Sequence, residues 1–177
     1  NGIQFHDSDT RSNTVSGNYI GTDIQGTSVL SNTSSGVTLS GGASYNQIGG
    51  DSPEERNVIS GNGSDGVSID GSDTTSNTLS GNSIGTDAAG AAPLPNGSNG
   101  VSIHDGASYN VIGGDTPAEG NLISANGPGC YYCRGVRIYQ AHHNTVQGNT
   151  IGTDRTGSAD LGNGGDGVNI EDGTYNV

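Results

Sequence analysis

The sequence predicts an all-β fold, a parallel β-helix (solenoid) of about five coils with three short strands per coil. Three observations predict it. The phrase Asn-x-Ile-Gly-Thr-Asp recurs at residues 18–23, 82–87 and 149–154, so its copies lie 82 − 18 = 64 and 149 − 82 = 67 residues apart. Between them a second phrase, Ser-Tyr-Asn-x-Ile-Gly-Gly-Asp, recurs at 44–51 and 108–115. A glycine followed by two alternating apolar residues returns at Gly2, Gly36, Gly66, Gly100, Gly135 and Gly167. Such self-similarity marks a solenoid, in which each repeat buries its apolar face only against its neighbours.

Each element then follows in order. In the first strand of each coil, period-two alternation sends Val37 and Leu39 inward and Thr38 outward, and the other coils match. A second strand carries Val15, Ile48, Leu79, Ile112 and Val146 inward. A third carries Ile20, Ile59, Ile84, Ile123 and Ile151. Gly, Ser, Asn and Asp corners between them make the coil triangular. The coils alternate in type. One type has a long loop after its third strand, at 21–35, 85–99 and 152–166; the other has a shorter loop before its third strand, at 49–56 and 113–120.

Asparagine recurs before the second strand, at Asn13, Asn46, Asn77, Asn110, Asn144 and Asn176, and before the third, at Asn18, Asn57, Asn82, Asn121 and Asn149. Stacked amides can bond the coils above and below, and Asn tolerates the left-handed backbone that a corner requires. These positions read as scaffold.

Composition bounds the rest. Of the 177 residues only 28% are apolar, with one Phe and no Trp or Met, which suits a narrow core rather than a thick one. The 33 glycines follow no Gly-X-Y period, which excludes collagen. A formal net charge of −13 disfavours nucleic acid and anionic membranes as partners and favours cations. No apolar run is long enough for a membrane-spanning helix, and no stretch reads as a signal peptide. Both ends fall inside the repeat, so residues 1–177 are expected to be one β-helix domain cut from a longer array. Coil ends left open in this way expose unpaired backbone groups and predict end-to-end self-association.

These repeats resemble the right-handed parallel β-helix repeats of the pectin-lyase-like superfamily, specifically the Asn- and Gly-rich arrays of large secreted or surface-anchored bacterial proteins. The resemblance covers essentially the whole chain. It implies an extracellular or cell-surface location and does not choose among lyases, hydrolases, epimerases, tailspikes and adhesins.

Asp23, Asp87 and Asp154 sit in Gly-Thr-Asp-x-x-Gly loops. A carboxylate beside glycine-freed carbonyls suits Ca²⁺, which takes six to eight oxygens. The alternative is an Asp that caps its own turn by accepting backbone N–H groups. Asp51 and Asp115 read the same way.

Residues that do not repeat are better candidates for chemistry. The fourth position after each first-strand glycine holds His6, Ser40, Asp70, His104, Tyr139 and Glu171. Asp70, His104, Tyr139 and Glu171 should therefore stack on successive coils, with Asp105 one residue beyond His104 and Arg137 on the same strand as Tyr139. A face bearing Asp70, His104, Asp105, Arg137 and Tyr139 is the candidate catalytic set of a carbohydrate-active enzyme. The resemblance adds that enzymes of this superfamily commonly use the first-strand face. The chain lacks the galacturonases' Asp-Asp, Gly-His-Gly and Arg-Ile-Lys elements and the lyases' arginine base with calcium-binding aspartates. A solvated polar face is the competing reading.

Cys130-Tyr131-Tyr132-Cys133 lies in an insertion that lengthens one coil. The spacing suits a redox pair, half a zinc site completed by His142 and His143, or a disulfide clip. No helix is readable to depress a thiol pKa, so the clip is the simplest reading. Tyr131 and Tyr132 are the candidate ligand contacts, since tyrosine rings stack on sugars.

Sequons at Asn32, Asn62 and Asn96 would matter only in a eukaryotic secretory route. Ice binding would need outward Thr columns, whereas the outward column reads Gln4, Thr38, Ser68, Ser102, Arg137 and Asn169. The expectation is a non-catalytic structural or adhesive solenoid module (stalk, fibre or adhesin) that needs no cofactor and contacts polysaccharide or cell-surface glycans. The alternative is a polysaccharide lyase or glycoside hydrolase.

Overall fold

The computed structural model describes residues 1–177 and shows a parallel β-solenoid of about five coils. The first coil contains β1 (Ile3–Phe5), β2 (Thr14–Val15) and β3 (Tyr19–Ile20). The second contains β4 (Val37–Leu39), β5 (Gln47–Gly49) and β6 (Val58–Ile59). The third has β7 (Val67–Asp70), β8 (Thr78–Ser80) and β9 (Ser83–Ile84). The fourth has β10 (Val101–His104), β11 (Val111–Gly113) and β12 (Leu122–Ile123). The fifth has β13 (Val136–Tyr139), β14 (Thr145–Gln147) and β15 (Thr150–Ile151), and β16 (Val168–Glu171) opens a further turn. The strands stack into one six-stranded and two five-stranded sheets, all paired in parallel. The only helix is a single 3-10 turn at Pro53–Glu55, and none is long and apolar enough to cross a membrane.

The core is one column. Val37, Ile69, Ile103 and Ile138 of the first sheet meet Ile48, Leu79 and Ile112 of the second and Ile59, Ile84 and Ile123 of the third, all sealed from solvent. Burying each such side chain contributes about 1.5–3 kcal/mol. Val15, Val146 and Ile151 also point inward but are only half-buried, because no coil covers them on one side. The long loops at 21–35, 85–99 and 152–166 each close by an antiparallel bridge, Thr22 to Val29, Thr86 to Pro93 and Thr153 to Asp160.

All three corners carry an asparagine ladder. Along the second-strand corner the amide Nδ2 of Asn77 donates to Asn110 Oδ1 at 3.0 Å, and the Asn77 backbone N–H donates to the same oxygen at 3.0 Å. The third-strand corner repeats the pattern, with Asn82 Nδ2 donating to Asn121 Oδ1 at 3.0 Å. A third ladder, which the sequence reading missed, runs through Asn32, Asn62, Asn96, Asn126 and Asn163 at the corner before each first strand. Its first three members are the sequon asparagines. Asn62 and Asn96 are sealed, so the folded protein offers no acceptor amide there. Since buried polar groups must be paired, each ladder residue satisfies its own coil and the next one together.

One expectation about exposure differs. Ser68 and Ser102 face outward by register yet are buried, because these small hydroxyls lie beneath larger neighbours; Ser68 Oγ meets His104 Nε2 at 3.3 Å.

Candidate functional site

The first sheet's outer face gathers most of the non-repeated polar residues. Parallel register places His104 of β10 directly against Asp70 of β7 on one side and Tyr139 of β13 on the other, with Glu171 of β16 beyond. His104 Nδ1 lies 3.1 Å from Asp105 Oδ2 and 3.6 Å from Asp70 Oδ1. The other ring nitrogen meets Ser68 Oγ, so the imidazole is held at both ends. Asp105 follows the strand with φ of +54°, in the left-handed region, where Asp is among the more tolerant residues. A similar pair occurs at His6 and Asp7, 3.2 Å apart, but the next coil places Ser40 rather than a carboxylate beside it. The face therefore sets one His104 ring nitrogen against two carboxylates.

One coil beyond His104 the character changes. The Arg137 guanidinium sits 4.6 Å from the centre of the Tyr139 ring, and that of Arg134 sits 5.5 Å from the centre of the Tyr132 ring. Both arginines, with Tyr132, Glu171, Ser98 and Asn99, line an open hollow of about 400 Å³. Arg134 Nε lies 3.3 Å from Asp166 Oδ2, but the N–H is not directed at that oxygen and makes no hydrogen bond. The pair is an ion contact that leaves this shielded donor unpaired. Cys130 and Cys133 are joined as a disulfide, which closes the loop over the same hollow. Tyr131 and Tyr132 project from it edge to face, their ring centres 5.3 Å apart and both rings about three-quarters exposed. The face thus joins Arg137 and Tyr139 to the tyrosine loop. His104, Asp70 and Asp105 form a separate cluster on the coils before it.

Asp23, Asp87 and Asp154 lie in the long loops. Asp154 Oδ1 accepts the N–H groups of Ser158 and Ala159 at 2.8 and 3.0 Å, and Asp87 and Asp23 accept the matching pairs. One carboxylate oxygen of each is thereby directed at amide donors of its own turn, the turn-cap arrangement. The Ala159 N–H holds the Asp154 carboxyl below its ordinary value of 3.8, and the Thr27 N–H does the same for Asp23. Because the folded value lies below the unfolded one, this stabilisation is complete above about pH 3.8 and fades as the pH falls through the depressed folded values. Urea-melt midpoints measured from neutral pH into acid should therefore fall, and Asp154→Asn should flatten part of that slope. An unchanged slope in the variant would remove Asp154 as a contributor. Asp51 and Asp115 sit in the shorter loops, where Asp51 N–H donates to Glu55 Oε2 at 3.2 Å and Gln147 Nε2 donates to Asp115 Oδ1 at 2.9 Å.

An exposed stack went unread in the sequence. Tyr109, His143 and Tyr175 lie face to face on successive coils, their ring centres 4.8 and 4.9 Å apart. All three have φ near +57°, which turns the residue before each ladder asparagine outward. The signal was present in the recurring Tyr-Asn and His-Asn pairs. Comparison of the chain with known protein families, curated proteins and solved structures yields no match.

Proposed function

We propose that the protein is a non-catalytic adhesive solenoid module of a secreted or cell-surface protein, and that it contacts acidic glycans through the hollow beside the tyrosine loop. The carrying observation concerns charge. The chain has five basic residues against 18 acidic ones, and two of the five, Arg134 and Arg137, line this one hollow, each stacked on a tyrosine. A guanidinium presents a fork of donors that matches a carboxylate, and an exposed tyrosine offers an apolar face to a sugar ring. A uronate has both features. The disulfide supports an oxidising compartment, and the similarity of the repeats to Asn- and Gly-rich arrays of the pectin-lyase-like superfamily supports a surface role. The recurring residues are taken up by core, ladders and turns, which suits a scaffold that presents one loop.

Isothermal titration with oligogalacturonate and with a neutral oligosaccharide of equal length tests the reading. We expect binding of the acidic oligomer only, weakened at least about tenfold by Arg137→Ala, the order of magnitude for one charge-assisted contact. Equal binding of both sugars, or none, rejects it. Carbohydrate turnover is the second reading, favoured by His104 standing between two carboxylates. Its test is product release from a polysaccharide panel, with His104→Ala as the control; turnover lost in that variant would replace the adhesive reading.

A further inference from the structure

Independently of the glycan reading, we infer that Asp70, His104 and Asp105 form a binding site for a single borderline divalent cation of the Zn²⁺ type. Their ligand atoms, one nitrogen and two carboxylate oxygens, all lie within 4.8 Å of one another. First-row ions hold such ligands at about 2.0–2.2 Å, which sets neighbouring donors about 3.0 Å apart at right angles and about 3.4 Å apart in a tetrahedron. His104 Nδ1 stands 3.1 Å from Asp105 Oδ2 and 3.6 Å from Asp70 Oδ1, close to those spacings before any ion draws them in. Both carboxylates are substantially exposed, so a small side-chain rotation completes the set and leaves open positions for water.

A second observation concerns the ring's other side. Ser68 Oγ lies 3.3 Å from His104 Nε2. When a cation replaces the proton that Nδ1 shares with Asp105, Nε2 carries the ring proton and donates it to that hydroxyl, leaving the Nδ1 lone pair for the ion. Metal-ligating histidines are commonly held this way by an outer hydrogen bond. Ser68 is itself buried in the sheet, so the anchor is rigid. Asp70 and His104 are paired residues of adjacent β7 and β10, and Asp105 follows His104 directly, so the backbone already places all three side by side.

The chain carries its own comparison. His6 and Asp7 repeat the His-Asp pair, but the neighbouring coil sets Ser40 beside His6 and supplies no second carboxylate. Two ligands alone make a weak site, so the inference is specific to the β7–β10 rung. The lone imidazole also selects the ion class. Nitrogen ligation suits Zn²⁺, Co²⁺, Ni²⁺ and Cu²⁺, whereas Ca²⁺ seeks six to eight oxygens.

The test is titration of the chelator-treated full chain with Co²⁺ read by visible absorption, and with Zn²⁺ read by calorimetry in a non-coordinating buffer. One equivalent should bind, His104→Ala should abolish saturable binding, and Asp70→Asn and Asp105→Asn should each weaken it at least about tenfold. Ser68→Ala, which removes only the outer hydrogen bond, should weaken it about 10- to 100-fold. His6→Ala should leave stoichiometry and affinity unchanged. Histidine side-chain NMR should show one imidazole perturbed by substoichiometric Co²⁺. Circular dichroism melts of each variant separate lost binding from lost folding. Failure of the folded parent to bind one equivalent, retained binding in His104→Ala, or displacement of Zn²⁺ by an equal concentration of Ca²⁺ would each overturn the assignment.

Discussion

Replacing Asn82 by alanine should lower stability by about 3–5 kcal/mol, far more than the same change at Asn18 in the same ladder. Asn82 is fully buried. Its Oδ1 accepts the side chain of Asn57 at 2.9 Å and the Asn57 backbone N–H at 3.3 Å. Its Nδ2 lies within donor range of Asn121 Oδ1, the Ile48 carbonyl and the Ser80 carbonyl at 2.9–3.0 Å. Truncation therefore orphans groups on three coils in a space that excludes solvent. Each orphaned buried group costs about 1–3 kcal/mol, partly offset where a water can enter the new gap. Asn18 differs in one respect. It is exposed and donates to Asn57 and Ser16, but no residue donates to its own Oδ1. Its truncation removes two side-chain bonds at an exposed site where water can replace them, and should cost about 0.5–1.5 kcal/mol. Urea denaturation of the two variants measures the difference. Equal losses would mean that the ladder contributes locally and does not couple coils.

The second large effect is expected at a glycine of the Gly-Thr-Asp motif. Gly85 and Gly152 occupy the same place in two copies of the motif, with φ of +89° and +83°. Alanine at either position must adopt a left-handed backbone, costing about 1–2 kcal/mol. Only at Gly85 does another coil lie against the site, where a Cβ would overlap the Ser124 carbonyl oxygen and Asn126 Oδ1; at Gly152 nothing lies within 4 Å. Relief of that overlap requires the third and fourth coils to separate, which breaks the β9–β12 pairing and the Asn96–Asn126 ladder bond of 2.9 Å. Gly85→Ala should thus cost more than about 4 kcal/mol or prevent folding, a loss reserved for such named defects. Gly152→Ala should cost about 1–2 kcal/mol. Thermal melts of both proteins suffice, and equal melting temperatures would show that backbone conformation alone, not coil stacking, demands the glycine.

Much of this was legible because a solenoid repeats its physics. The inward sets Val37, Ile69, Ile103 and Ile138, or Ile59, Ile84 and Ile123, follow from alternation within a strand, and the structure places them in one buried column. The His104 neighbourhood was also legible. Counting four residues from each first-strand glycine aligned Asp70, His104, Tyr139 and Glu171, and the parallel register pairs them in that order. Two of the three ladders were readable for the same reason. The third was hidden in plain composition. Asn32, Asn62, Asn96 and Asn163 each precede their first-strand glycine by four residues, but Asn126 precedes Gly135 by nine, because the cysteine loop is inserted between them. A fixed offset fails where an insertion interrupts it, although the ladder itself continues through Asn126 to Asn163 at 3.1 Å.

The functional face was less legible. Period-two spacing puts Arg137 and Tyr139 on one outer face, but the contacts of Arg137 on the Tyr139 ring and of Arg134 on the Tyr132 ring depend on how the long side chains turn. The same holds for Ser68 beneath the His104 ring and for the Tyr109, His143 and Tyr175 stack, which cross between coils.

By itself the sequence determined the strand periodicity, the inward residues, the placement of long and short loops and the order of residues along each sheet. These are local properties, set by alternation within a strand and by backbone-permissive corner residues, and identical rules in each coil reinforce one another. Only the tertiary structure decided which side chains meet: the third ladder, the hollow lined by Arg134 and Arg137, and the Asp70, His104 and Asp105 cluster with its ligand atoms within 4.8 Å of one another. The ladder partners, and Asp70 with His104, lie roughly one coil apart in sequence, and what brings their atoms together is the stacking of strands about 4.8 Å apart. Register chooses the neighbour, but rotamers and burial choose the contact.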